Sequence, residues 1–522
     1  MTRSTRRLPR RPRTIAALTA ASSLALVTAA CGGGGGDQPA DLDDLTIVLR
    51  NDPDSFDPAI TAAETGATQM YEALYDTLIR RDIETGEYTP AMAESWEVTP
   101  TRIDFQLKDG LQCADGTELS ASDVARSIER LGDPETGSIF TGRVFGEKGF
   151  KSATADDAAN TVAVEVNGPH TDLLEGLRNA FIICPAGLDD TEALVTDPQG
   201  SGPYKLVDMS RGDTYVLERW DSPAVEDIES LPAKITMKVV TSDSTRANLF
   251  ETGQADIVSV LGRDAKRLEA EHEPILGEGY QADSLTFNQR EGSPAADPKV
   301  REAIALALSA TEYTKAASFD VGKPSDTVIT PNVECYDEAN ASIRLEQDLD
   351  AAKAALAEAG YGEGGDQLSL RLVGYDAQNS GPDYVADTLR TIGIDVSINN
   401  GTLAQAAGII YGDKEPWDIV VFPFMTASPI VYPLVTKLSS NLGEGGAYNF
   451  GRVTNEEFDR LAAQAPGLEG EERCAAWAAG EAALLERLDV VPLMWPVAAY
   501  FGHGVTFQTE HRTIDLRTIE SV

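Results

Sequence analysis

The chain has 522 residues and carries 84 acidic against 43 basic side chains, a formal net charge of −41. That balance excludes nucleic acid as a partner, because phosphate recognition needs clustered Lys and Arg. It also sets the folded body against anionic lipid headgroups. The length suffices for two or three cored domains.

The first element is a leader. Arg3, Arg6, Arg7, Arg10, Arg11 and Arg13 precede an apolar, small-residue run over 15–30. A basic start, a short apolar core and small residues before a cut describe a secretory signal peptide over 1–30. The run is too rich in Ala and Thr for a stable membrane span, which takes roughly 20 strongly apolar residues. Cleavage before Cys31 resembles a bacterial lipobox, with Thr28 where Leu is usual, so Cys31 is the expected lipidation site. The alternative makes it the first residue after an ordinary cut. Arg6-Arg7 raise a twin-arginine export route, but Pro9 follows without the usual Phe, which leaves the route open. Residues 31–42, with Gly32 to Gly36 in succession, have too much backbone entropy to pack and are expected to form a tether. Without the leader arginines, 37 basic residues face 84 acidic ones, a charge of −47.

Downstream, 45–50 reads as a strand of β-branched and apolar residues, and 52–58 as turn chemistry. The spacing of Met70, Ala73, Leu74 and Leu78 predicts a helix over 69–80. Segments 94–98 and 102–108 alternate like paired strands. Ser120 and Asp123 form a capping box ahead of a helix that buries Val124, Ile128 and Leu131. A strand at 161–166 follows. A strand at 234–240, a helix at 243–252 ending at Gly253 and a strand at 255–259 make a βαβ unit. Asp297-Pro298 opens a helix with Val300, Ile304 and Leu308 inward. Residues 349–359 read as an Ala-rich helix ended by Gly360, 368–373 as a strand, 382–391 as a helix, 394–398 and 418–422 as strands, 471–488 as a long helix and 490–494 as a strand. The class is mixed α/β. Beyond Cys31 the chain has Cys113, Cys184, Cys335 and Cys474, an even number that in an exported protein suggests disulfides; three pairings are open. No Cys-x-x-Cys or Cys/His cluster suggests a metal.

Several stretches, in order, resemble the family 5 solute-binding proteins, the extracytoplasmic receptors of peptide, dipeptide and nickel ABC importers. They are Asp54-Ser-Phe-Asp-Pro58, Tyr71-Glu-Ala-Leu-Tyr-Asp-Thr-Leu78, Thr89-Pro-Ala-Met-Ala-Glu-Ser-Trp-Glu97, Phe105-Gln-Leu-Lys-Asp-Gly-Leu111, Asp115-Gly-Thr-Glu-Leu-Ser-Ala-Ser-Asp-Val124, Gly200-Ser-Gly-Pro-Tyr-Lys205, Phe287-Asn288, Asp297-Pro-Lys-Val-Arg-Glu-Ala-Ile304 and Val490-Val-Pro-Leu493. Most of these read as scaffold. The glycines of Gly200-Ser-Gly-Pro-Tyr204 are expected to accept unusual backbone angles while Tyr204 plugs a core edge, and Trp96, Trp417 and Trp495 are expected in cores.

The resemblance implies a two-lobe periplasmic-binding-protein fold, class II-like, that closes like a flytrap. Lobe one is expected over 43–286 plus 493–522, with an extra subdomain at about 95–200, and lobe two over 287–492. Phe287-Asn288 and the stretch near Val490 are expected to cross between lobes. With each pair in one lobe, the implied disulfides are Cys113–Cys184 and Cys335–Cys474. The implied function is binding without catalysis or cofactor: a monomeric receptor, lipid-anchored outside the cytoplasmic membrane, captures a peptide or peptide-like ligand and delivers it to an ABC permease. The alternatives are a receptor for a non-peptide solute and a sensor without transport. An exported hydrolase is disfavoured, since no Gly-x-Ser-x-Gly elbow or HExxH is present.

Both charged anchors of the peptide-binding branch are missing by position. The loop 423–431 holds no acid to meet a ligand ammonium, and the loop 374–380 no base to meet a carboxylate. A free dipeptide is therefore disfavoured. Nickel is too, because the four histidines, His170, His272, His503 and His511, do not cluster in sequence. Candidate ligand contacts carried over by position are Glu64, Thr65, Tyr375, Phe424, Met425, Tyr448 and Asn449.

Overall fold

The computed structural model describes residues 42–60, 65–138, 140–146, 148–222, 231–280, 282–362, 364–412, 416–423, 449–510 and 513–522. The expected signal peptide, Cys31 and the tether up to residue 41 lie outside them. No helix among the described residues is long and apolar enough to cross a membrane.

The strand Asp44–Leu49 sits at the centre of a seven-stranded sheet, ordered Ile275–Glu278, Val497–Gly502, Ile257–Val260, Asp44–Leu49, Lys234–Val239, Thr214–Arg219 and Tyr204–Ser210. Lys234–Val239 and Ile257–Val260 both run parallel to it and are joined through the helix Asp243–Glu251. The expected βαβ unit therefore forms, with Asp44–Leu49 inserted between its strands. Alternation builds a core on each face. Leu45, Ile47, Ile235, Met237 and Tyr500 pack on one side, and Val48, Val258, Val260 and Phe501 on the other.

A second sheet has six strands, ordered Lys323–Pro324, Val490–Trp495, Asp283–Phe287, Ile419–Pro423, Ser369–Tyr375 and Asp395–Gly401. It too is buried on both faces. Leu285, Phe287, Leu370, Leu372, Ile419 and Val421 meet the helices Pro298–Ala307, Leu349–Glu358 and Gly381–Thr391. Val373, Val420 and Trp417 face the helices Glu456–Gln464 and Gly470–Glu486.

The extra subdomain has a core of its own. Ala93–Thr99, Arg102–Leu107, Thr161–Val166 and Phe150–Asp156 form an antiparallel sheet. The helix Ala121–Gly132 packs on it, started by the Ser120/Asp123 capping box, with Val124, Ile128 and Leu131 buried. Trp96 is half-buried against this core, while Trp417 and Trp495 are buried.

Two local expectations need correction. The helix expected over 69–80 runs Thr65–Leu74, and Ile79–Arg81 is a strand. It ends early because Gly202 donates its N–H to the Leu74 carbonyl at 2.9 Å. The glycines of that turn do not take left-handed angles; they permit close approach. A Cβ on Gly200 would stand 2.2 Å from the Leu74 oxygen, and one on Gly202 2.5 Å from the Tyr75 nitrogen. Tyr204 is fully buried, its hydroxyl donating to the Pro232 carbonyl at 2.9 Å.

The chain leaves the first sheet after Glu278, enters the second at Asp283, and returns between Trp495 and Val497. The expected borders at 286/287 and 492/493 thus fall within or beside strands of the second sheet. The two passages touch: the Gly279 N–H donates to the Pro496 carbonyl at 2.9 Å, and the Trp495 indole donates to the Gly279 carbonyl at 2.5 Å. Disulfides join Cys113 to Cys184 and Cys335 to Cys474, 71 and 139 residues apart.

Candidate functional site

The loop after the first strand is held from two directions. Tyr71 and Tyr75 donate their hydroxyls to the carbonyls of Ser55 and Phe56 at 2.8 and 2.7 Å. The fully buried Asp57 takes a bidentate pair from Arg130 of the subdomain at 2.8 and 2.5 Å. The motif Asp54–Pro58 therefore ties subdomain to lobe. It also fixes the stem of the segment carrying Glu64 and Thr65. Glu64 lies outside the described residues, and Thr65 is described only as the first residue of its helix.

Of the other candidates, Phe424, Met425 and Tyr448 also lie outside the described residues. Tyr375 closes the strand Ser369–Tyr375 and is half-buried against the core that holds Trp417 and Phe450. Gln378 accepts from the Tyr375 N–H at 3.3 Å and donates to the Val421 carbonyl at 3.1 Å, tying that loop to the neighbouring strand. Asn449 is buried; its amide donates to the Val453 carbonyl at 2.8 Å and accepts from the Val453 N–H at 2.9 Å, closing its own turn.

Between the two sheets' halves lies a network that the sequence reading does not contain. Arg473, in the first turn of the helix Gly470–Glu486, forms an ion pair with Asp172 of the subdomain, and both are buried. Arg473 also meets Glu334 at 3.0 Å. Burial pushes the Asp172 carboxyl up to about 6, against the opposing pull of Arg473. Nearer the crossing strands, Arg178 bridges Glu175 at 2.7 Å and Glu510 at 2.8 Å. Tyr280, inside the first crossing, sets its ring in the second sheet's core and donates its hydroxyl to Glu510 at 3.1 Å. Arg263 lies 5.6 Å from the Phe319 ring centroid, a further contact between halves. The one sequence signal for Arg473 is its position beside Cys474.

His272 and His503 come together around Phe250, their ring centroids 6.1 Å apart, so histidines separated in sequence are neighbours in space. Among the described residues they belong to no group with metal-ligand spacing. Among the described residues that spacing occurs only at Glu334, Cys335 and Cys474, whose sulfurs are bonded to each other.

Residues 87–445 match the family described as bacterial extracellular solute-binding proteins, family 5. The chain belongs to this family. It is 23% identical over 384 residues to the glutathione-binding protein GsiB of Shigella dysenteriae, covering 71% of this chain and 72% of that one. It is 24% identical over 469 residues to heme-binding protein A of Haemophilus influenzae, covering 81% of each. A substrate-binding protein from Microbacterium hydrocarbonoxydans, solved with 4-hydroxybenzoate hydrazide, superposes with a TM-score of 0.76 at 27% identity, covering 92% of this chain and all of that one. The fold is accordingly the family's two-lobe, mixed α/β binding-protein fold, and the role is that of the substrate-binding component of an ABC transporter.

Proposed function

We propose that this protein captures a peptide or peptide-like ligand between its lobes and hands it to a membrane permease, while a lipid on Cys31 holds it outside the cytoplasmic membrane. The observation that carries the reading is the paired crossing at Gly279 and Pro496, with the Asp172–Arg473 ion pair joining the subdomain to the other lobe. Two touching strands form a hinge, and a charged, buried contact face beyond a hinge is what closure on a ligand requires. We place the lobe borders at 279–282 and at Pro496. The reading involves no chemical step: burial strengthens hydrogen bonds to a ligand, and its free energy of binding selects the closed form.

The similarity to a glutathione-binding protein favours a short peptide bearing a modification or an unusual linkage. The absence of a base from loop 374–380 and of an acid from loop 423–431 disfavours an ordinary dipeptide. Native mass spectrometry of protein purified from its own host should show a co-purifying peptide mass. An empty cleft that also ignores glutathione and tripeptide libraries in thermal-shift assays overturns the peptide reading. For the anchor, Cys31→Ala should release the protein into the medium and abolish palmitate labelling; retention on the membrane would refute it.

A further inference from the structure

The two disulfides differ in exposure. Cys113 and Cys184 are buried in the subdomain core, whereas Cys335 and Cys474 are each half-buried. A reagent in solution therefore reaches the second bond more easily, and access is one determinant of thiol exchange. Cys474 follows Arg473, which reaches Asp172 across the lobes, and Cys335 follows Glu334, which meets Arg473 at 3.0 Å. The bond thus joins the two backbone segments that position the interlobe ion pair.

The same loop reaches the crossing strands. The Asn332 amide donates to the Gly279 carbonyl at 3.0 Å, and the Ala282 N–H donates to the Val328 carbonyl at 3.1 Å. Residues 328–335 therefore form a strap with one end on the crossing and the other on the ion pair. Glu481 accepts from the Val328 and Ile329 N–H groups and from the Asn340 amide, on either side of the strap's tip. Opening the disulfide frees the tip around Glu334 while these bonds keep the loop on its helix. Cys335 sits at φ 65°, the left-handed region that a residue with a side chain adopts at a cost. Released from Cys474, its backbone is free to relax, and Glu334 moves with it.

We propose that Cys335–Cys474 is a redox-sensitive clamp: a dithiol opens it, and the loosened Glu334 and Arg473 weaken the contact that closes the lobes. A thiolate of the dithiol attacks one sulfur and forms a mixed disulfide, while the bond between the cysteines breaks and the other sulfur leaves as a thiolate. The second thiol then displaces the remaining cysteine and closes the reagent into a cyclic disulfide. The protein gains two electrons from the dithiol and two protons from the solvent, matching the two protons the dithiol gives up. The clamp rests on the reading of the crossing as a hinge and is independent of what the cleft carries.

The test uses the full chain, with dithiothreitol as the probe and no ligand. Graded reduction, alkylation and peptide mapping should label Cys335 and Cys474 before Cys113 and Cys184; simultaneous or reversed labelling overturns the clamp. Deuterium exchange then reads residues 168–178, around Asp172 in the opposite lobe from the disulfide. Selective reduction should speed exchange there by roughly ten-fold while the strand Thr161–Val166 stays protected. Loss of protection in that strand too means general unfolding and overturns the clamp. Cys335→Ser/Cys474→Ser should match reduced wild type and ignore dithiothreitol; if circular dichroism shows that it does not fold, reduced wild type carries the comparison. Arg473→Gln should exchange fast at 168–178 whether oxidised or reduced. If Arg473→Gln speeds exchange there and reduction of wild type does not, the clamp fails and the hinge stands. If neither speeds it, the closure reading fails and the clamp with it. If reduction speeds Arg473→Gln as much as wild type, the effect bypasses the ion pair, which also overturns the clamp.

Discussion

Glu72 lies on the inner side of the helix Thr65–Leu74, accepting from the Thr513 hydroxyl at 3.0 Å near Asp515, Glu510 and Arg517. Burial first, then Asp515, pushes its carboxyl up to about 8. Below pH 4.5 the group is neutral both folded and unfolded. Between 4.5 and about 8 the unfolded chain ionises while the folded one keeps the proton, so stability falls as pH rises, by up to about 1.4 kcal/mol per unit. Glu72→Gln should flatten that slope and stabilise the protein at pH 8, read by urea unfolding at pH 5 and 8; equal slopes would refute the assignment. Gly200 makes the opposite point, since its backbone angle is ordinary and only space forbids a side chain. Gly200→Ala sets a methyl against the Leu74 oxygen at 2.2 Å and should cost about 1–3 kcal/mol, as overpacking does. An unchanged unfolding midpoint would show that the turn can yield.

At the scale of elements, the helix Gly470–Glu486 serves as a platform. Its Glu481 carboxylate, buried and raised by that burial, accepts from the Val328 and Ile329 N–H groups at 2.7 and 2.8 Å and from the Asn340 amide at 2.9 Å. The Cys335–Cys474 bond fastens the same loop to the same helix. Glu481→Ala strands three donors and should cost about 3–5 kcal/mol; guanidinium titration checks it, and a loss below 1 kcal/mol would mean water replaces the carboxylate. Strands such as Thr161–Val166 and the capped helix after Ser120 are legible in sequence because alternation and capping are local signals. The early stop at Leu74 is not, because its cause is a glycine turn more than a hundred residues on. The site is legible least: Asp172 and Arg473 look like any charged surface residues until the fold pairs them. Of the position-based candidates, the described Tyr375 and Asn449 are engaged in packing and turn closure, which one-dimensional order does not reveal.

For the whole molecule, the Asp172–Arg473 pair ties the lobes together without being a net source of stability. Burial, with repulsion from Glu334 and Glu175 added to it, leaves Asp172 at about 6 although Arg473 pulls the other way, so the ion pair does not offset the cost of holding this carboxylate charged. Such a pair acts through the penalty for leaving one member alone. Arg473→Gln strands a buried carboxylate and should disfavour the closed form by about 3–5 kcal/mol, seen as a larger radius of gyration in X-ray scattering and weaker ligand binding. Closure of that variant should return as the pH is lowered, because protonation neutralises Asp172. The double variant Asp172→Leu/Arg473→Met removes both charges and should close at neutral pH like the wild type. If it stays as open as Arg473→Gln, the pair contributes a specific attraction rather than a conditional penalty, and the lobes depend on it to meet.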